Sequence, residues 1–447
     1  GQIVGQFRNG IPAQVLPQFP NFAADAGQPT GAVVAAPTLL DPNAGRPARQ
    51  HQWSIGLQRE LNRNLVVEAT YVANRGTWWA APTASLGALN IMSEQLLGRY
   101  GFSLNSAADG TLLAKQISAL TATDRSALAS KGVTTFPYAG YSTGQTVRQA
   151  LLPFPQYNTA IAPAQAPLGN TWYDGLQLSV IQRFNRGLSF NFNYTASKAL
   201  ELMTSPDILN RQLGKDLQAT DIPQQIRMSA EYQVPSLRKS GIKGLSNPVV
   251  AYVLGDWGIG WFFQYQSAPV LARPANQGSQ PISQWLGRGP GPAQYVEGQS
   301  LWSTNWVDYD GNRRTDPIDI NCHCFDPTKN VVLNPAAWSN IPNGSWGAQQ
   351  TAIRQFRGIR QPQENLNVSR NFRLKERVVL HIRVEFQNVM NRTRLPQPVT
   401  NASFAATQQT FTSGAFAGLY SGGFGTILPT SGTAGARTGT MIARITF

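Results

Sequence analysis

Apolar and polar residues alternate singly along much of the chain, a period of two that marks strands and not helices. In LSFNFNYTAS, Leu188, Phe190, Phe192, Tyr194 and Ala196 fall on one face. Ser189, Asn191, Asn193, Thr195 and Ser197 fall on the other. The preceding run LQLSVIQRF alternates in the same way, and Asn185-Arg186-Gly187 between the two reads as a hairpin turn. The pattern recurs at 51–61, 65–74, 226–234, 257–267, 365–372, 378–388 and 440–447, giving nine clear strands. QIVGQF at 2–7 reads as the tail of a tenth.

Strands with one apolar and one polar face suit a soluble sandwich, whose core is the apolar face. They equally suit an outer-membrane barrel, whose apolar face meets lipid. The connections separate the two. Tight ones fall at about 61–64, 185–187 and 373–377, with a middling one at about 236–255. Long ones alternate with them, at about 76–171, 199–223, 269–363 and 392–437. Outer-membrane barrels place short turns on the periplasmic side and long loops outside. Strands of about 9–11 residues also match the length a tilted strand needs to cross a bilayer.

Side-chain placement agrees. Glu68, Arg227, Glu231, Arg383, Glu385 and Arg444 all take polar-face positions. Arg370 is the exception, since alternation puts it with Leu366 and Val368; a bulge or a near-interface position would accommodate it. Trp53, Tyr71, Tyr194 and Tyr265 fall toward the loop-side ends, and Tyr232 and Trp257 toward the turn-side ends, as aromatic girdles do. The expected fold is all-β: an antiparallel transmembrane β-barrel with long extracellular loops.

Composition removes other classes. The chain of 447 residues carries a formal charge of +14, yet only 13% of residues are charged and the basic ones are scattered. A nucleic-acid binder gathers them into a patch, so no nucleic-acid partner is expected. No apolar run is long enough for a transmembrane helix. GQIVGQFRNGIPAQV lacks the basic and apolar regions of a signal peptide, so either a leader was removed or the chain starts within a longer protein.

Candidate chemistry is sparse. VDYDGNRRTDPID offers Asp308, Asp310 and Asn312, with Asp319 eleven residues after the first, a spacing that approaches a calcium loop. Its glycine comes at position four, not six, and the plain alternative is a solvated loop whose aspartates offset Arg313 and Arg314. Cys322-His323-Cys324 reads as a local disulfide or two thiols in preference to a metal site, which wants wider spacing and a fourth ligand. His51, His323 and His381 are the whole histidine complement and nothing ties them to a nucleophile, so no enzymatic activity is expected. GRGPGP at 287–292 lacks the flanking strand and helix of a phosphate loop. Loop tryptophans at 78, 79, 285, 302, 306, 338 and 346 either stack on ligands or pack the loops together; Trp302 and Trp306 are the candidate ligand contacts.

The segments RQHQWSIGLQRELNRNLVVEATYVANRGT, NTWYDGLQLSVIQRFNRGLSFNFNYTASKAL and NFRLKERVVLHIRVEFQNVMNRTRL, with FDPTKNVVLNPAAW and the terminal RITF, resemble the carboxyl-terminal barrel region of Oar-like TonB-dependent outer-membrane receptors. The resemblance runs from about residue 45 to 447 and is weakest at about 80–150. It implies an outer-membrane location and a 22-stranded barrel, of which this chain would supply about ten strands as one carboxyl-terminal part, residues 1–447. It also implies uptake or binding of a large nutrient such as a glycan, peptide or metal chelate. The family's plug, TonB box and regulatory domain are not recognisable here, so coupling to the TonB complex would need a plug from elsewhere. Phe447, an aromatic final residue on the last strand, resembles the signal read by the barrel-assembly machinery. The alternatives are a cell-surface structural or interaction protein built on a partial barrel, and a passive porin.

Overall fold

A computed structural model describes residues 42–81, 90–103, 105–158, 166–203, 211–236, 247–278, 291–322, 324–345, 352–375, 377–428 and 436–447, with positions 33, 39–40, 161, 163–164, 347 and 350. The proposed tenth strand at 2–7, Trp285, His323 and Trp346 lie outside the described residues. Two compact units emerge, residues 1–38 with 89–161, and 39–88 with 162–447.

The larger unit is built on one antiparallel sheet. Its main strands are β1 (Arg49–Asn62), β2 (Leu65–Trp79), β3 (Gly169–Asn185), β4 (Leu188–Leu202), β5 (Gln224–Gln233), β6 (Gly258–Gln266), β7 (Gln363–Lys375), β8 (Val378–Gln387) and β9 (Thr438–Thr446). They pair strictly in chain order, and the short strand Asp216–Leu217 adds to β4. The nine strands are the nine segments of alternating residues. Among the described residues, the free edges of β1 and β9 have no partner, so the sheet does not close on itself.

Register confirms the two faces. One hydrogen-bonded row runs Gln58, Glu68, Ser179, Asn193, Arg227 and Gln264 across six strands. The next row is Leu57, Ala69, Leu178, Tyr194, Ile226 and Tyr265. Rows also slant. The row holding Val180, Phe192 and Met228 begins at Arg59, near the turn end of β1, and reaches Glu364, at the loop end of β7. Such stagger is what closing a sheet into a tilted-strand barrel requires.

Every tight connection lies at one end. The β3–β4 turn is a two-residue loop between paired Asn185 and Leu188. Arg186 and Gly187 both take positive φ, 50° and 88°, the backbone of a type I′ turn that matches strand twist. At the other end β1 to β4 are longer than expected, 14, 15, 17 and 15 residues. About ten residues suffice to span a bilayer, so these strands continue past it. The outward face changes character accordingly. Beyond Tyr71 and Leu176 it carries Arg75 and Asp174, paired at 2.9 Å, with Lys198 opposite Asp174. The Tyr71 hydroxyl donates to Asp174 at 2.6 Å, so a tyrosine marks the edge of the apolar band.

Arg370 keeps its place on the apolar face, opposite Ile382. It is nevertheless buried, because a short helix (Pro248–Leu254) in the β5–β6 connection folds over it. Its Nη1 donates to the Val253 carbonyl at 2.9 Å, and its guanidinium lies about 5 Å from the rings of Tyr252 and Phe372 (5.0 and 4.7 Å). A local cover, and not a bulge, makes the charge tolerable.

The smaller unit is helical where described, with Glu94–Arg99, Ala107–Ala114, Ala122–Ser130 and Val147–Ala150. Each helix starts at a Ser or Thr whose hydroxyl accepts a backbone N–H of the first turn. Leu97, Leu113, Leu128 and Val147 form its buried interior.

Candidate functional site

The long connections after β6 and β8 fold into an ordered body at the loop end of the larger unit. Short strand pairs frame it: Val270–Ala272 with Ala352–Arg357, Gln294–Tyr295 with Trp338–Ser339, and Gln409–Thr410 with Tyr420–Gly422. Its interior is a continuous apolar cluster around Phe325, Leu333, Trp338, Phe356 and Phe424. Trp338 lies 5.3 Å from Phe356, ring to ring, and Trp302 packs on the other side at 5.8 Å.

The two candidate tryptophans therefore part company. Trp306 is buried, stacked edge-on to Phe325, with its indole N–H donated to the Asp316 carbonyl at 2.8 Å. With its polar atom spent and its ring enclosed, it packs the interior of the loop body. Trp302 is only partly buried and lines an open hollow of about 460 Å³ with Asp319, Asn321, Arg357 and Arg360. A second hollow of about 410 Å³ adjoins it through Ser267, Asn321 and Arg360, and is lined further by Tyr265 and Arg392. Sequence pattern alone gave no reason to single out these arginines: Arg360 and Arg392 sit in irregular backbone, and Arg357 ends a short strand outside the main sheet.

Two buried carboxylates hold the walls of these hollows. Asp221 pairs with Arg357 at 2.6 Å, which also donates to the Asp221 and Ala268 carbonyls. Asp221 in turn accepts the Ala199 N–H at 2.8 Å, so the pair ties the β4–β5 loop to the strand Ala352–Arg357. Glu364 accepts both contacts of the Arg392 Nε, at 2.9 and 3.0 Å, and the Tyr265 hydroxyl. Among the arginines lining the hollows, Arg357 and Arg392 are thus neutralised and locked. Arg360 presents its side chain to solvent, its backbone fixed by the Asn321 side chain at 2.8 Å. The surface mixes polar groups with apolar ones such as Trp302, Ile318 and Ile359, and its two ion pairs leave it near-neutral.

Of the calcium candidates, the structure brings Asp308 and Asn312 together, with the Asn312 side-chain amide donating to an Asp308 oxygen at 3.4 Å. Trp306–Val307 pairs with Arg313–Arg314 as a hairpin, and Asp308 caps its turn. The Asn312 N–H donates to Asp308 at 2.8 Å and Arg314 binds its other oxygen, which together hold the carboxyl below its ordinary pKa. Asp319 accepts from the Asn321 N–H at 2.9 Å, within its own turn. Among the described residues, no three His, Cys, Asp or Glu side chains converge as a metal site. Cys322 and Cys324 form a disulfide, which removes both sulfurs from any ligand set. His381 contacts Asn371 at 2.7 Å across β7 and β8.

A separate polar concavity of about 700 Å³ lies against β4 to β8, lined in part by Asn191, Ser229, Glu231, Asn367, Arg383 and Glu385. Most of these are the polar-face residues of the alternating pattern, and Arg383 pairs with Glu385 at 2.6 Å. An antiparallel sheet with an apolar convex side and a wet concave side is a barrel wall. The family model of the outer membrane beta barrel domain matches residues 2–439. The chain belongs to that family. As an outer membrane beta barrel domain it resides in the outer membrane, with its apolar rows toward lipid. Similar solved structures include the FrpB iron transporter from Neisseria meningitidis, 12% identical, covering 91% of this chain and 33% of that one, with a TM-score of 0.32. The outer membrane transporter YddB from Escherichia coli is 9% identical, covering 92% and 35%, with a TM-score of 0.34. The chain thus spans about a third of the length of each. No curated protein matches the sequence.

Proposed function

We propose that this outer membrane beta barrel domain is the barrel wall and ligand-binding loops of an Oar-like, TonB-dependent receptor that binds or imports a large nutrient. The supporting observation is the asymmetry of the sheet: tight connections at one end, and at the other long loops packed about their own apolar core. A passive pore has little need of such a body, whereas a receptor needs a rigid surface for a bulky ligand. Within it, Trp302, Arg360 and Asn321 are the contacts we assign to ligand, with a glycan or peptide favoured over a metal chelate because near-neutral walls mixing a tryptophan face with amide groups suit ring stacking and neutral hydrogen bonds. Coupling to the TonB complex would run through a plug, and Phe447, exposed on the lipid-facing parity of β9, would engage the assembly machinery.

The test is uptake by whole cells carrying or lacking the gene, offered labelled oligosaccharides, peptides and ferric chelates. Accumulation that stops with an uncoupler supports the receptor. Uncoupler-insensitive passage of small solutes through the purified protein in planar bilayers would replace it with a porin. A second reading rests on the edges of β1 and β9, unpaired among the described residues, which are templates for further strands. There the chain would act as a structural surface protein assembled with other copies; ligand uptake would then be absent and cross-linking would capture oligomers.

A further inference from the structure

We infer that the helix Pro248–Leu254 is an interfacial foot, embedded in the phospholipid boundary at the tight-turn side of the barrel. The inference concerns how the wall meets its membrane and does not depend on any ligand.

Three observations lead there. The helix PVVAYVL is apolar on its exposed side as well as its buried one. Ala251 faces the protein and is buried, whereas Val249, Tyr252 and Val253 form the exposed stripe, at spacings of three and four residues, and Leu254 extends it. Val249 is 70% exposed and Val253 54%. A surface helix in water presents polar residues on that stripe, so an apolar stripe signals a different neighbour.

Position identifies that neighbour. The helix lies on the lipid-facing side of the sheet: Tyr252 packs against Phe372 at 6.1 Å, and Trp257 meets the same ring at 6.3 Å. Phe372 stands opposite Leu380, which stands opposite Ile445, all in the apolar rows. The exposed stripe therefore continues a surface already facing lipid, at the level of Trp257, where amphipathic rings prefer the headgroup boundary. A protein partner would need a groove against the lipid side of the barrel; phospholipid is already there.

Arg370 supplies the third observation. On a lipid-facing row its charge would be costly, yet the helix seals it with the Val253 carbonyl and the faces of Tyr252, Trp257 and Phe372. Trp257 also donates its indole N–H to the Val253 carbonyl at 2.8 Å, pinning the helix end. The foot thus both enters the boundary and insulates Arg370, a cation held in a lipid-facing row.

The experiment uses the full chain in vesicles of phosphatidylethanolamine and phosphatidylglycerol. A bimane label is placed at Val249→Cys or Val253→Cys, with Met441→Cys as a lipid-row reference and Ser229→Cys as a polar-face reference. All are exposed positions, so the substitutions leave packing intact. Doxyl-labelled phospholipid should quench the helix labels, as it quenches position 441, and leave position 229 bright. A shallow doxyl position should quench the helix more than a deep one. Helix labels quenched by aqueous iodide and untouched by doxyl lipid would place the helix in water and overturn the inference. Labels shielded from both would show a protein cover, and overturn it equally.

Discussion

In the main sheet the large apolar side chains look outward, with Ile55 73% and Leu57 76% exposed. In the loop body joined to the same sheet, Phe325, Phe356 and Phe424 are all but sealed from solvent. One chain therefore follows two opposite rules of burial, each set by its surroundings. Lipid removes the driving force for hiding a sheet's apolar face and instead penalises charge there. The loop body stands in water and condenses like a small soluble domain, by removing apolar area from solvent.

The comparison is most exposed to failure at Phe356, which touches both Trp302 and Trp338. Phe356→Ala should cost the loop body about 3–5 kcal/mol. Proteolysis should then cut within 269–428 at far lower protease, while the far-UV strand signal of the sheet persists. Simultaneous loss of both would mean that body and sheet fold as one unit. Next in size is Phe192→Arg, midway between Leu188 and Ala196 on the outward face. It should cost about 2–4 kcal/mol in a denaturant titration of protein in vesicles. Asn193→Arg, one residue away on the wet face, should change that midpoint little. Equal effects at the two positions would erase the distinction between faces.

Gly187→Ala tests the turn end. The residue has φ of 88°, and a Cβ there would stand 2.6 Å from the Gln233 carbonyl oxygen. A loss of about 1–3 kcal/mol is expected from strain and crowding, read as slower hairpin formation and a lower melting midpoint. The smallest effect is expected in the helical unit. There the Lys115 ammonium, 2.8 Å from each Asp124 oxygen, together with the Thr121 N–H, lowers the Asp124 pKa to about 2. A depressed carboxyl pKa stabilises the fold above the unfolded value near 4 and loses that contribution as pH falls through about 2. Asp124→Asn should therefore flatten the acid limb of helix unfolding followed by circular dichroism between about pH 4 and 2. An unchanged limb would show that the ion pair contributes nothing.

Strand existence, order and facing were legible because a two-residue period is local: five residues such as Leu188 to Phe192 already declare it. Strand length was less legible. The extensions of β1 to β4 past the bilayer carry Arg75, Asp174 and Lys198 on the outward parity, which breaks the pattern that defined the segments. The hollows at the loop end were illegible for a different reason. Arg357 meets Asp221 across 136 residues and Arg392 meets Glu364 across 28, with no periodicity to link either pair. Trp302 and Trp306 are four residues apart and chemically identical, and only their packing separates the wall of a cavity from the filling of a core.

The unbroken rows across the sheet also make the bilayer an error checker. Sliding β4 by a single residue against β3 would swap its faces and drive Asn191 and Asn193 into hydrocarbon while drawing Phe190 and Phe192 into the wet concavity. Such a mispairing keeps most backbone hydrogen bonds, so hydrogen bonding alone barely discriminates against it. The surrounding lipid does, rejecting at insertion a mistake that the strands themselves would tolerate.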